Sequence, residues 1–207
     1  MGERSLNAMS EDGRTDKTFF IRTPADLLEK LRWEAYAPLD VQPFNLQLRA
    51  YMVMNCAITA WQMKDWAYNA LEASGRLPDL NVYAGRPIKS REDFGEYLIK
   101  TNPHMKMAFQ IATASKHLQI KEHLNDPAIR TTVESVEIPL RGGYQRDELF
   151  VVDGQESMSA HELMHRLYIQ WKNVLHGLGL IPKEEPFVPD GDRQLPPGTP
   201  RLRRKMS

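Results

Sequence analysis

Between Pro43 and Gly75 the chain contains neither glycine nor proline. A stretch that long without a breaker exceeds any ordinary strand and sets one long helix at the centre of the fold. Leu48, Tyr51, Met52, Ile58, Trp61, Asp65 and Tyr68 recur in it at helical spacing. A shorter helix precedes it. Thr23-Pro24-Ala25-Asp26 supplies an N-cap threonine, a proline at the first helical position and an acid two residues later. That helix should run to about Tyr36 and stop before Pro38.

After Gly75 the punctuation changes. Leu77 to Lys89 is broken by Pro and Gly and reads as a loop. Ser90-Arg91-Glu92-Asp93 caps a short third helix to about Lys100. Pro103 opens a fourth, which should end near Asn125-Asp126-Pro127. Thr131 to Ile138 then alternates, and Leu149-Phe150-Val151-Val152 is β-branched and aromatic up to Asp153-Gly154. The two runs predict a small antiparallel hairpin, at about residues 129–153, with a wide connection through Gly142-Gly143. A last helix follows from Ser159 to about Leu178 and stops near Gly177 and Gly179. The expected fold is mainly α: a bundle of four to five helices with a β-hairpin inserted before the last one. Residues 1–17 should be a disordered leader, residues 18–181 a single domain, and residues 182–207 a flexible tail rich in Pro and Arg. Phe19-Phe20-Ile21 is a short apolar patch between leader and domain.

The sharpest chemical string is His161-Glu162-Leu163-Met164-His165, an H-E-x-x-H. On a helix, two histidines four apart can hold zinc while the glutamate takes a proton from bound water. A second reading needs no chemistry. Ser159 and Glu162 form an S-x-x-E capping box, in which the carboxylate closes onto a free backbone N–H of the first turn. Helical periodicity gathers Leu163, Leu167, Trp171, Val174 and Leu178 on one stripe, widened by Met164 and Leu175. His161, His165, Lys172 and His176 fall nearly opposite, on the expected solvent face. His176 lies eleven residues beyond His165, ~16 Å along the axis, too far to share one ion. Glu184 and Glu185 sit in the loop-like Pro182-Lys183-Glu184-Glu185-Pro186. The capping reading is therefore preferred, and no metal is expected; zinc held by His161 and His165, with Glu162 as base, is the alternative.

Asp65 projects from an apolar helix face, four residues after Trp61 and three before Tyr68. Lys116 sits among Phe109, Ala112 and Ile120 at helical spacing. Opposite charges placed where apolar residues belong should find each other, because burying either one alone is costly. Asp65 is therefore expected to meet Lys116 or His117 across the bundle. The result is either a polar pair fixing helix register or a pocket with Trp61 and Trp66 as walls.

Composition narrows the function. Acidic and basic residues are equal in number, 27 each, so net charge gives no electrostatic argument for nucleic acid. The single Cys56 excludes an internal disulfide and a cysteine zinc knuckle. It sits mid-helix among apolar residues and should be inert. No apolar run is long enough to span a bilayer, and no signal-peptide core opens the chain. A cytoplasmic protein is expected. The C-terminal Arg201-Leu202-Arg203-Arg204-Lys205 reads as a solvated basic tail. No phosphate loop or nucleophile elbow is present.

The order of pieces resembles a group of small uncharacterised bacterial helical proteins. These carry an A-W-H-x-x-D-W-like string in a long helix and an A-S-K-H string in the next. Here Trp61, Asp65 and Trp66 match the first, Ala114 to His117 the second, and Trp171 the Trp of a final helix. The likeness covers roughly residues 40 to 180. Gln62 stands where the first string has His. The group also looks similar to HEPN-type helical proteins of defence and toxin systems. The R-x4-6-H ribonuclease signature of that class is absent, since no Arg precedes a His at that spacing. The resemblance implies the helical fold and the Asp65/Lys116/His117 cluster, and no transferable activity. The expected function is a binding protein, with a protein partner or a second copy of itself. A zinc-dependent hydrolase and a divergent HEPN-like nucleic-acid module using Lys116 and His117 are the alternatives.

Overall fold

A computed structural model describes residue 18 and residues 20–36, 45–116, 124–138 and 144–182. The expected leader at 1–17, Phe19, Pro43, His117, the Gly142-Gly143 connection and the basic cluster at 201–205 lie outside the described residues.

Helix α1 (Pro24–Tyr36) begins where the capping signals put it. Thr23 Oγ1 accepts from the Asp26 N–H at 3.2 Å, and the Asp26 carboxylate accepts from the N–H groups of Arg22 and Thr23 at 2.9 Å. Those donors satisfy both ends of the first turn and hold the Asp26 carboxyl below its usual value, the Arg22 N–H contributing most. Helix α2 (Leu46–Ala73) is the long central element, capped by Asn45, whose side chain accepts from the Leu48 N–H at 2.9 Å. Its buried positions include Cys56, Ala57, Ala60, Met63, Ala67 and Leu71. The three alanines on this face let neighbouring helices approach closely. The helix packs against α1 and against most of the elements that follow it.

The segment expected as a loop after Gly75 folds into a further helix, α3 (Leu77–Ala84). The punctuation that suggested a loop delimits a helix instead. Pro78 occupies the first turn, where a missing N–H costs nothing, and Gly85 closes the C-terminus at φ 64°. Only Leu80 is fully buried, so no apolar stripe advertises the helix. Helix α4 (Arg91–Thr101) is capped by Ser90, whose Oγ accepts from the Asp93 N–H at 3.2 Å. Helix α5 (Pro103–Lys116) is capped by the buried Asn102, which accepts from the Met105 N–H at 3.1 Å.

The hairpin lies at residues 129–153, with strands longer than the Thr131–Ile138 and Leu149–Val152 runs. Strands β1 (Ile129–Ile138) and β2 (Tyr144–Asp153) pair antiparallel over their full length, from Ile129↔Asp153 to Ile138↔Tyr144. A third strand, β3 (Glu156–Ser159), pairs with the end of β2 through a two-residue turn opened by Gly154 at φ 63°. The sheet order is β1-β2-β3. The sequence Glu156-Ser157-Met158-Ser159 is short and polar, which hid the strand. Val151 reaches the core, with Ile129, Leu149 and Met158 packed beside it.

Helix α6 (Ala160–Gly177) buries the expected stripe: Leu163, Met164, Leu167, Trp171, Val174 and Leu175 are at most 2% exposed. Trp171 lies at the centre, edge-on to Phe94 of α4 at 6.5 Å between ring centroids. The mainly α expectation holds, but its inventory is corrected. The described residues form six helices and a three-stranded sheet rather than four to five helices and a hairpin.

Candidate functional site

The H-E-x-x-H opens α6 as half of a capping box. Ser159 Oγ accepts from the Glu162 N–H at 3.1 Å. The reciprocal bond is not made. The Glu162 carboxylate turns along the helix to Arg166, one turn on, at 2.9 and 3.2 Å. His165 is exposed and meets the ring of Tyr36 edge-on at 5.5 Å. Tyr36 in turn meets Tyr168 at 5.7 Å. These contacts fasten α1 to α6. His161 is half-buried. Among the described residues no three His, Cys, Asp or Glu side chains gather at metal-binding distance. His176 differs from the expectation of a solvent position: it is half-buried, with its Nδ1 buried and without a hydrogen-bond partner among the described residues.

Asp65 and Lys116 are not brought together. Asp65 forms an ion pair with its neighbour Lys64 at 2.6 Å, and its side chain is 40% exposed. Lys116 is exposed at the end of α5. Helices α2 and α5 run antiparallel, with Trp61 against Phe109 and Met54 beside Ala114 and Ser115. In that alignment the point on α5 opposite Asp65 is near Met105, roughly 16 Å along the axis from Lys116. Asp65 is 40% exposed and Lys116 is exposed, so neither occupies the apolar face that helical periodicity suggested. Helical spacing within one chain segment does not fix how far one helix is shifted past another.

The geometry builds a different site one turn from Asp65. Trp61, Lys64, Gly95, Ile99, Lys106 and Phe109 line a cleft of about 610 Å³ between α2, α4 and α5, closed on one side by Leu124 to Pro127. Trp61 and Phe109 form its aromatic wall, with centroids 4.8 Å apart and planes inclined at 55°. Lys64 Nζ lies 5.1 Å from the centre of the Trp61 ring, a cation–π contact. Gly95 permits the close approach of α4. A Cβ there would stand 3.2 Å from Trp61 Cη2 and 3.3 Å from Lys64 Cδ.

The far rim is held by polar contacts. The buried Gln110 donates from Nε2 to the Leu124 carbonyl at 2.7 Å and accepts at Oε1 from the Asp126 N–H at 3.2 Å. Lys106 bridges Asp126 at 2.7 Å and Asp153 at 3.5 Å, tying the rim to the end of β2. The Asp126 carboxylate raises the Lys106 pKa, and Lys106 lowers that of Asp126. Glu92 and Glu96 complete the edge. The cleft thus offers an apolar, aromatic interior and a rim of mixed charge.

Trp61 was expected to wall a pocket around Asp65, Lys116 and His117; it lines this different cleft instead. Trp66, the other suggested wall, packs against the core. Lys64, Gly95, Phe109 and Gln110 were missed. Phe109 and Trp61 both sit at apolar helical positions, and only the packing of α2 on α5 makes them a pair. Cys56 is fully buried, and burial pushes its thiol pKa well above the usual range. No helix among the described residues is long and apolar enough to cross a membrane. No protein-family model, curated protein or solved structure matches the chain.

Proposed function

We propose that this is a binding protein and that the cleft between α2, α4 and α5 is where it receives its ligand. One observation carries the reading: an aromatic pair, Trp61 and Phe109, is held half-buried in a cleft of about 610 Å³. That volume falls in the ordinary range of ligand pockets, about 300–1,000 Å³. An apolar interior with a few polar groups at the rim is the usual composition of such sites. Lys64 and Lys106 are each engaged with a carboxylate, so among the described residues the cleft offers no spare cation to select an anion. The ligand class that fits is a neutral, planar apolar group, either a small aromatic molecule or an aromatic side chain of a partner protein.

Two other readings have weaker support. Among the described residues a zinc hydrolase would rest on His161 and His165 alone, with Glu162 engaged by Arg166, while Glu184 and Glu185 lie outside them. A HEPN-like nucleic-acid role would rest on Lys116, which stands apart from the cleft, and on His117. Ligand-observed NMR with indole as a neutral planar probe tests the preferred reading. Indole should bind the wild-type chain. Trp61→Ala should abolish that binding with the circular dichroism spectrum unchanged, and His165→Ala should leave it intact. Binding that survives Trp61→Ala would refute the assignment.

A further inference from the structure

Independently of the cleft, the sheet carries an interaction surface of its own. Strand β1 is ten residues long and forms one edge of the sheet, with no strand paired to its outer side among the described residues. Arg130, Thr131, Glu134, Ser135 and Glu137 are exposed, and Val133 is 50% exposed. Unpaired edges of this length are templates for another strand unless something blunts them.

The backbone polarity of that edge can be read from one bond. The Gly154 N–H donates to the Ala128 carbonyl at 3.0 Å, one step before the Ile129↔Asp153 pair. Antiparallel ladders alternate residues that exchange bonds with the neighbour and residues whose N–H and C=O point away. Arg130, Thr132, Glu134 and Val136 therefore bond to β2. Thr131, Val133, Ser135 and Glu137 direct their backbone groups outward. A cleft of about 320 Å³ beside Ile129, Arg130 and Thr131 leaves open space next to the start of the edge.

Symmetry then selects a register. Two copies of one strand pairing antiparallel are related by a two-fold axis perpendicular to the sheet. Paired side chains must lie on the same face, so the two residue numbers in every pair have an even sum. The charges on β1 are Arg130, Glu134 and Glu137. Arg130 opposite Glu137 is an odd sum and is forbidden. Arg130 opposite Glu134 is allowed and places the axis at Thr132. In that register Thr131 and Val133 of each copy exchange backbone bonds with their counterparts. The outward polarity of the edge is satisfied by this pairing, as by any even sum, and the Arg130–Glu134 charges single it out. Arg130 and Glu134 meet twice, at non-hydrogen-bonded positions, where facing side chains come closest. We propose that the outer edge of β1 is a self-association surface. A second copy adds its own β1 in this register, joining the two sheets into one of six strands.

Sedimentation velocity on the full chain tests this. The wild type should sediment as a two-chain species with a concentration-dependent monomer. Val133→Pro removes only an outward N–H, so it should give monomer with an unchanged circular dichroism spectrum. Arg130→Glu and Glu134→Arg should each weaken association by roughly tenfold or more, through like charges meeting across the axis. The double variant R130E/E134R should restore it. The reversals keep the test decisive even where the proline variant fails to fold. A wild-type chain that stays monomeric at all accessible concentrations would overturn the proposal. So would a dimer untouched by Val133→Pro, or single reversals that the double reversal does not rescue.

Discussion

Ser159 and Glu162 illustrate how a short string can carry two meanings at the scale of single residues. The H-E-x-x-H is present, but its glutamate spends its backbone N–H on Ser159 and its carboxylate on Arg166. Ser159→Ala removes the acceptor for that N–H and should lower stability by about 1 kcal/mol in urea unfolding, whereas Ser159→Asp should retain it. Equal stability of all three would show that the cap contributes nothing. His104 gives a pH signature. Its pKa is lowered chiefly by burial and further by Arg166, against the opposing effect of Glu162. A group whose folded pKa is depressed binds fewer protons in the native state. Its contribution to stability is therefore complete above the unfolded value, about 6.5, and is lost as pH falls towards the folded value. The urea midpoint should decline as pH drops below that point, and His104→Gln should flatten the decline. A decline identical in the variant would assign it to other groups. The role of His104 was not legible in the sequence, because its surroundings come from α6 rather than from its own helix.

Among the elements, legibility followed contrast. α1 and α6 could be placed closely because capping residues, an apolar stripe and a breaker agree at each. α3 was hidden because one buried leucine makes no periodic pattern, and β3 because a four-residue strand with Met158 as its single apolar residue makes none either. The junction of α3 with α6 has a specific steric requirement. A Cβ on Gly177 would stand 2.5 Å from Tyr83 Cε2, and the Tyr83 ring is itself edge-on to Tyr97 at 6.3 Å. Gly177→Ala should thus lower the melting temperature, although alanine is intrinsically favoured in a helix by about 1 kcal/mol. Adding Tyr83→Ala should remove most of the extra loss in a double-mutant cycle. A stabilising Gly177→Ala would mean that the ring swings aside without cost.

Over the whole molecule, the core stripe of α6 and the central place of α2 follow from periodicity, which the sequence displays directly. The cleft does not, because it depends on how α4 and α5, joined through Asn102 alone, are staggered against α2. Trp61 could be suspected from its type, whereas Phe109 and Gly95 gain their meaning only from contact with it. The same missing stagger explains why Asp65 and Lys116 were expected to meet and do not. Trp171 joins α6 to α4 at the centre, and Trp171→Ala should cost about 3–5 kcal/mol in chemical unfolding. A loss near zero would contradict the packing described.

On the proposed function, ligand should engage the α2–α4–α5 cleft and not the start of α6. The chain has four tryptophans, so its four indole N–H resonances are a direct map. In a ¹⁵N-correlated spectrum titrated with indole, the resonance assigned to Trp61 through Trp61→Phe should shift progressively to saturation. That of Trp171, buried at the centre, should stay fixed. Saturable shifts at Trp171 or Trp33 with Trp61 unmoved would contradict the claim.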